Sequence, residues 1–157
     1  MIPFGLTEGQ FSDRYRGLLE RQTKAAVLPI KQLLAQTIPD DVLAAHVEVF
    51  LDDTGYGAPS VWLYFSGKNN RVNKTDKSIF PGRSLEFEFD LSKLAEFDEE
   101  YFTSEFNALG VAADAMRQWV SECWWKAGGW NYPRPVALSV HDGWGSGKVV
   151  SLTESDA

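Results

Sequence analysis

Two histidines, His46 and His141, are the residues in this chain best suited to acid–base chemistry near neutral pH. His141 is followed by Asp142, and an adjacent carboxylate would fix the imidazole tautomer that a general base requires. Neighbouring residues on a strand point to opposite faces, so a polar strand end explains the pair more simply. No serine elbow, zinc-binding helix motif, paired-cysteine motif or calcium loop accompanies them. The sequence therefore predicts no catalytic residue, no metal ligand and no cofactor.

The glycine-rich run from Gly143 to Lys148 is the second pattern with a chemical meaning, since phosphate-binding loops are rich in glycine. It lacks the residue spacing of such loops, and no predicted helix follows it. A turn between two strands is therefore the better interpretation.

An aromatic and acidic surface is predicted on one side of the sheet. Strand alternation places Trp62 and Tyr64 opposite the apolar residues that pack under the helices, and Glu86 and Glu88 alternate in the same way on a later strand. Exposed aromatics beside carboxylates suit a basic protein surface or a sugar ring. The acids alone would also suit a hard cation or a two-carboxylate glycosidase, and a wet sheet face without a ligand is the simpler alternative.

Five of the six tryptophans lie in one C-terminal stretch, namely Trp119, Trp124, Trp125, Trp130 and Trp144. Tryptophans supply either core area or binding anchors, so each needs its own assignment. Helical spacing places Trp124 inside an apolar stripe, Trp119 at its flank and Trp125 facing away from it. Trp130 and Trp144 fall in glycine- and proline-bearing loops that would close over the sheet or line a pocket.

A basic segment lies between the second and third predicted strands of this acidic chain. Its cations are Lys68, Arg71, Lys74, Lys77 and Arg83, and its one acid is Asp76. A solvated loop is the simplest interpretation, and a site for an anion, a nucleic acid or an acidic partner is the alternative.

Hydrophobic periodicity predicts two long helices. The first runs from about 8 to 36 and contains Pro29, which is expected to kink or split it. The second is capped by Asp98 or Thr103 and is ended by Gly128.

Alternating apolar and polar residues predict four strands and a short fifth. They cover residues 46–52, 60–66, 85–90 and 136–140, with the fifth at about 149–152. The order α-β-β-β-α-β-(β) predicts a two-layer α+β fold, in which a mainly antiparallel sheet of four to five strands carries two long helices on one face. The whole chain, 1–157, is expected to form a single domain.

The composition excludes several classes of partner and site. A formal net charge of −7 and a pI near 4.8 disfavour nucleic acid and anionic lipid, because both carry the same sign of charge. Cys123 is the only cysteine, which excludes an intrachain disulfide and favours a reducing compartment. Neither a secretory signal nor a stretch of about 20 apolar residues is present, so we expect a cytoplasmic protein without membrane contact.

The function predicted from these features is non-enzymatic protein binding, with a basic protein as the expected partner. The residues expected to carry it are Trp62, Tyr64, Glu86, Glu88 and Trp125. Small size, acidity and dense tryptophan resemble the general profile of bacterial immunity and adaptor proteins that neutralise basic partners. The same aromatics would also serve a homodimer interface.

A small-ligand binder or hydrolase is the alternative function. Its pocket would join His141 and Asp142 to a strand carboxylate and would be lined by Trp130, Tyr132 and Trp144. A closed pocket that joins His141 to a carboxylate, or turnover of an ester or glycoside, would favour this alternative over a protein-binding surface.

Overall fold

The computed structural model describes residues 7–51, 58–67, 83–96 and 107–154. These residues form two α-helices and a five-stranded sheet. The helices are α1, Glu8–Leu34, and α2, Ala108–Lys126. The strands are β1, Val42–Phe50; β2, Ser60–Gly67; β3, Ser84–Phe87; β4, Val136–Val140; and β5, Val150–Ser151. Short 3₁₀ turns lie at Ser92–Glu96, Gly129–Asn131 and His141–Gly143.

Helix α1 begins at a capping box and continues through a proline. The Thr7 hydroxyl accepts a hydrogen bond from the Gln10 backbone N–H (3.2 Å), and the Gln10 side chain accepts one from the Thr7 N–H (3.0 Å). Pro29 interrupts the helical hydrogen bonds, at a cost of about 3 kcal/mol. Ile30 and Leu33 are buried beyond it, and burying two such side chains gains roughly 3 to 6 kcal/mol. One helix rather than two segments therefore spans the proline.

Helix α2 begins at Ala108, where the Asn107 side chain accepts a hydrogen bond from the Gly110 N–H (2.9 Å). The caps expected from the sequence, Asp98 and Thr103, lie outside the described residues. The helix ends where it was predicted to end, because Gly128 adopts a left-handed conformation with a φ of 92°.

The strands of the sheet are arranged in the order β3-β2-β1-β4-β5. Strand β1 pairs with β2 in the antiparallel sense and with β4 in the parallel sense, and the other two pairings are antiparallel. The fold is therefore α+β with the predicted order of elements, but its sheet is mixed. A parallel pairing needs a crossover connection, and helix α2 lies in the connection that leads to β4.

One face of the sheet packs on the helices. Val47, Val49, Leu63 and Leu138 are fully buried on this inner face, in one cluster with helical residues such as Trp124. Each alternates along its strand with a residue that points the other way, and we call that opposite side the outer face. Within the described ranges, neither helix has the length and apolar character that crossing a membrane would require.

Candidate functional site

The outer face carries a row of three side chains in which an aromatic ring lies between two carboxylates. Glu48 on β1 is the register partner of Trp62 on β2, and Trp62 is the register partner of Glu86 on β3. Trp62 and Glu86 occupy a non-hydrogen-bonded pair, the arrangement in which side chains on adjacent strands approach most closely. We call Glu48, Trp62 and Glu86 the acidic–aromatic row.

Tyr64 extends this row along β2. Its ring stacks on that of Trp62, with ring centroids 6.3 Å apart and planes inclined by 16°. Tyr64 is 37% exposed and Glu86 is exposed as well, so the row faces solvent at its β3 end. Glu88, just beyond the end of β3, is a further exposed carboxylate. Trp62, Tyr64 and Glu86, which the sequence singled out, thus share one face.

Polar contacts hold the other end of this face in place. His46 Nε2 lies 2.7 Å from the Ser139 hydroxyl oxygen, and His141 Nδ1 lies 3.1 Å from Glu48 Oε1. The His141 ring also packs on Phe50, with ring centroids 4.7 Å apart. Glu48 is thereby positioned beside Trp62, which lowers the side-chain entropy that a bound partner would have to remove.

The pair formed by His46 and Ser139 has the composition of a base and its nucleophile. Within the described ranges, no carboxylate bonds to the second ring nitrogen of His46, which is the orienting contact of a catalytic triad. His141 does contact carboxylates, those of Glu48 and Asp142 (3.5 Å from Nε2), but no serine of the same ranges bonds to it. Both histidines thus contact residues of the outer face, His46 through Ser139 and His141 through Glu48.

Part of the predicted hydrolase pocket is assembled in the structure: His141 contacts Asp142 and the strand carboxylate Glu48, as expected, whereas two of the aromatic lining residues lie elsewhere. His141 and Asp142 follow the end of β4, whereas Trp130 and Tyr132 precede its start, so the length of a five-residue strand, roughly 16 Å, lies between them. Tyr132 is buried, with its ring edge-on to Trp124. Burial raises the pKa of the Tyr132 phenol to about 12, so this group is neither an acid nor a base near neutral pH.

The C-terminal tryptophans differ in their surroundings. Trp124 is buried as predicted, and Trp119, expected at the flank of the stripe, is also buried and donates its indole N–H to Thr23 Oγ1 at 2.9 Å. Trp125 and Trp130 are 40% and 45% exposed, and their rings meet edge to face with centroids 6.4 Å apart. The exposed members of the cluster therefore form a pair.

This exposed pair lies away from the acidic–aromatic row. Trp125 Nε1 donates to the Leu152 carbonyl at 3.1 Å, directly after β5, and β5 is the edge of the sheet opposite β3. The surface expected from the sequence is therefore divided between two edges of the sheet. None of the five C-terminal tryptophans, all of them within the described ranges, lies over the row.

An ion pair that the sequence analysis missed holds the glycine-rich loop against helix α2. Arg117, 6% exposed, donates to the Asp114 carboxylate, to the Ser146 hydroxyl (3.2 Å) and to the Trp144 carbonyl (3.0 Å). Asp114 also accepts a hydrogen bond from the Ser146 backbone N–H at 2.9 Å. A glycine is required at position 145, because a Cβ on Gly145 would collide with Asp114.

The electrostatics of this contact favour a charged Asp114. Burial raises the pKa of the Asp114 carboxyl, but hydrogen bonds from the Ser146 N–H and from Arg117, together with the Arg117 charge, outweigh burial and hold the pKa below its ordinary value. The loop is thus a turn tethered to α2, and Trp144 is half-buried there. The sequence feature that predicts this ion pair is an aspartate and an arginine three residues apart on a helix face whose other residues are small and apolar.

The predicted basic loop falls largely outside the described residues, which is where Lys68, Arg71, Lys74 and Lys77 lie. Arg83 is exposed just before β3, and its backbone carbonyl accepts a hydrogen bond from the Phe65 N–H at 2.8 Å. Among the residues that the structure describes, no group of three or more His, Cys, Asp or Glu side chains is arranged to hold a metal ion.

Comparison with known proteins assigns the chain to a family. A family model described as a family of unknown function (DUF6389) matches residues 6–154. The chain belongs to this family. No curated protein and no solved structure matches it. Because membership of DUF6389 implies no activity, the function has to be argued from the site.

Proposed function

We propose that this protein is a non-enzymatic binding module, of the bacterial immunity-protein or adaptor type, which recognises a basic segment of another protein with its outer face. One observation carries the proposal: the acidic–aromatic row presents an indole ring between two carboxylates on the side of the sheet away from the helices. Such a surface combines the three interactions that an arginine or lysine side chain makes best.

Each part of the row matches a part of a cationic side chain. The face of Trp62 attracts a cation, an interaction of roughly 0.5 to 1 kcal/mol at an exposed site. The exposed carboxylate of Glu86 accepts charge-assisted hydrogen bonds, in bidentate geometry when the donor is a guanidinium. The stacked ring of Tyr64 widens the apolar platform for the methylene stem of the same side chain.

The charge of the whole chain supports the same kind of partner. A net charge of −7 attracts and orients a basic protein before contact, which raises the association rate at low salt. The same charge repels nucleic acid. The free and buried Cys123 suits a reducing compartment, so we propose that binding takes place in the cytoplasm.

Quantitative affinity purification from the source cell tests the proposal, with the wild type compared with Trp62→Leu and Glu86→Gln. We expect the wild type to enrich a basic protein, and both variants to retain about tenfold less of it, because each lacks one of the groups that hold the cation. Added salt should release the partner, because the attraction between exposed charges is screened.

Trp130→Leu is the matched control, because it removes an exposed tryptophan that is remote from the row. This variant should retain the partner at the wild-type level. The proposal would be contradicted if Trp62→Leu and Glu86→Gln both retained as much partner as the wild type. If Trp130→Leu alone lost the partner, the binding site would instead be the pair formed by Trp125 and Trp130. Far-UV circular dichroism of each variant checks that the fold is intact.

A further inference from the structure

Strand β3 is the outermost strand on its side of the five-stranded sheet, and among the described strands it pairs with β2 alone. The Phe65 N–H donates to the Arg83 carbonyl, which fixes the alternation along β3: residues 83, 85 and 87 bond to β2, whereas Ser84 and Glu86 direct their N–H and C=O groups outwards. None of the residues that the structure describes bonds to these outward groups. An edge of this kind is a template for another strand.

A cleft of about 370 Å³ lies along this edge. The end of helix α1 and the residues just after it, from Pro29 to Gln36, form its far wall, and β3 with Glu88 forms its near wall. Leu33 lines the α1 side, and the Gln36 Oε1 atom is buried there without a hydrogen-bond partner among the described residues. The cleft therefore has backbone donors and acceptors on one wall, and residues that include Pro29 and Leu33 on the other.

We infer that this cleft receives an extended basic segment of the partner, which joins the sheet as a strand beside β3. The inference rests on the proposed function and specifies how the partner is held. Main-chain hydrogen bonds to Ser84 and Glu86 supply affinity, and alternate side chains of the added strand supply specificity. Side chains on one side of that strand meet the Glu86 carboxylate, and those on the other side enter the cleft beside Leu33. The segment that fits best alternates cationic and apolar residues.

Charge distinguishes this partner from a second copy of the chain. Pairing of β3 with its own copy about a two-fold axis would bring Glu86 and Glu88 of both copies along one seam. Like charges on adjacent strands destabilise their pairing, and each copy carries a net charge of −7. A strand with lysine or arginine at alternate positions converts the same carboxylates into favourable contacts.

An acetylated and amidated heptapeptide of alternating arginine and valine is the probe for this site, and a heptapeptide of alternating glutamate and valine is its charge control. Ser84→Pro removes one outward N–H and leaves the hydrogen bonds between β2 and β3 in place, whereas Ser84→Ala keeps that N–H. By isothermal titration calorimetry, we expect the arginine–valine peptide to bind the wild type and Ser84→Ala alike. Ser84→Pro should bind it about tenfold more weakly, and the glutamate–valine peptide should not bind.

Amide hydrogen exchange gives a second and independent readout. The outward Glu86 amide should exchange rapidly in the free protein and at least about tenfold more slowly when the arginine–valine peptide is bound. The Leu85 amide points towards β2, so its exchange should be slow in both states. Slow exchange of Leu85 in Ser84→Pro also establishes that this variant keeps β3 folded.

The outcomes separate this inference from the proposed function. Strand addition would be overturned if Ser84→Pro and Ser84→Ala bound the arginine–valine peptide equally and the Glu86 amide were not protected. In that case the proposed function would still stand if Trp62→Leu weakened binding. No binding of the arginine–valine peptide to the wild type would also overturn strand addition, and the partner purification described above would decide the proposed function by itself. A dimer in sedimentation that Ser84→Pro dissociates would assign the edge to a second copy and overturn the inference.

Discussion

Trp62 is half-buried and Trp125 is 40% exposed, and the two residues differ in what their indole N–H groups do. The Trp125 N–H is bonded to the Leu152 carbonyl, whereas no residue within the described ranges accepts a hydrogen bond from Trp62. A ring that is tied to the backbone contributes to stability even when it is exposed. Exposure alone therefore does not identify a binding residue, and the bond of the Trp125 N–H to the backbone favours a structural role for its ring.

Replacement of Trp125 by alanine tests this distinction. The variant loses one hydrogen bond and an edge-to-face contact, so we expect its free energy of unfolding to fall by about 1 to 2 kcal/mol. That loss corresponds to a melting temperature roughly 3 to 6 °C lower in a domain of this size, with partner binding unchanged. Thermal denaturation of Trp125→Ala beside Trp130→Ala measures the difference. Weaker partner binding by Trp125→Ala would show that its ring also belongs to the interface.

The single cysteine is expected to be chemically inert in the folded protein. Burial raises the pKa of the Cys123 thiol to about 12, and only the thiolate is nucleophilic. At pH 8 we expect an aromatic disulfide reagent to modify the native protein about a thousandfold more slowly than the urea-unfolded chain. Rapid modification under native conditions would mean that helix α2 opens readily around this residue.

At the scale of elements, the attachment of the glycine-rich loop to helix α2 depends on the charge of Asp114. We expect Asp114→Asn to lower the free energy of unfolding by about 2 kcal/mol at pH 7, because buried Arg117 loses a charged hydrogen-bond acceptor. A carboxyl whose folded pKa is depressed stabilises the fold above its unfolded pKa, and this contribution is lost as the pH falls through the folded pKa. The advantage of the wild type should therefore shrink below about pH 4.

Urea denaturation across this pH range measures the effect, and Asp142→Asn is its matched control. Asp142 is exposed, lies close to the same loop and has a φ of 62°, which asparagine tolerates. The control should change stability by less than about 0.5 kcal/mol at any pH. The wild type and Asp114→Asn are compared by their free energies of unfolding. If the difference between them stayed constant from pH 7 to pH 3, the Asp114 charge would not be what holds the loop.

The two strands β4 and β3 show what an alternating sequence can predict about an element. Strand β4 has the predicted bounds, because buried and half-buried side chains alternate along all of it. Strand β3 ends at Phe87, although the alternation of the sequence continues to Asp90. The Phe89 N–H bonds back to the Phe87 carbonyl at 2.9 Å, so the backbone turns where the side-chain pattern does not change. The alternation of apolar and polar residues therefore indicates which side chains are buried, but it does not determine where a strand ends.

At the scale of the molecule, local sequence patterns do not predict which strands lie next to each other in the sheet. The alternation of β1 indicates a buried face, but it carries no signal for the strand that pairs with each edge. The parallel pairing of β1 with β4 was accordingly missed. For the candidate site, too, the sequence predicts one part and leaves the other part to tertiary packing. A period of two places Trp62, Tyr64 and Glu86 on one face, whereas the register with Glu48 and the cleft beside α1 depend on packing between distant parts of the chain.

The central position of β1 has a consequence for synthesis of the protein. Strand β2 is the next strand after β1, but the parallel neighbour on the other side brings Ala45 against Val136, 91 residues later in the sequence (136 − 45). On the ribosome, β1 therefore keeps one edge bare until β4 has been synthesised, and closing so long a loop is slow. A chain terminated or cleaved before Val136 exposes the middle of its sheet as a template for aggregation. The amount of folded protein in a cell thus depends on how well chaperones shield that edge during elongation.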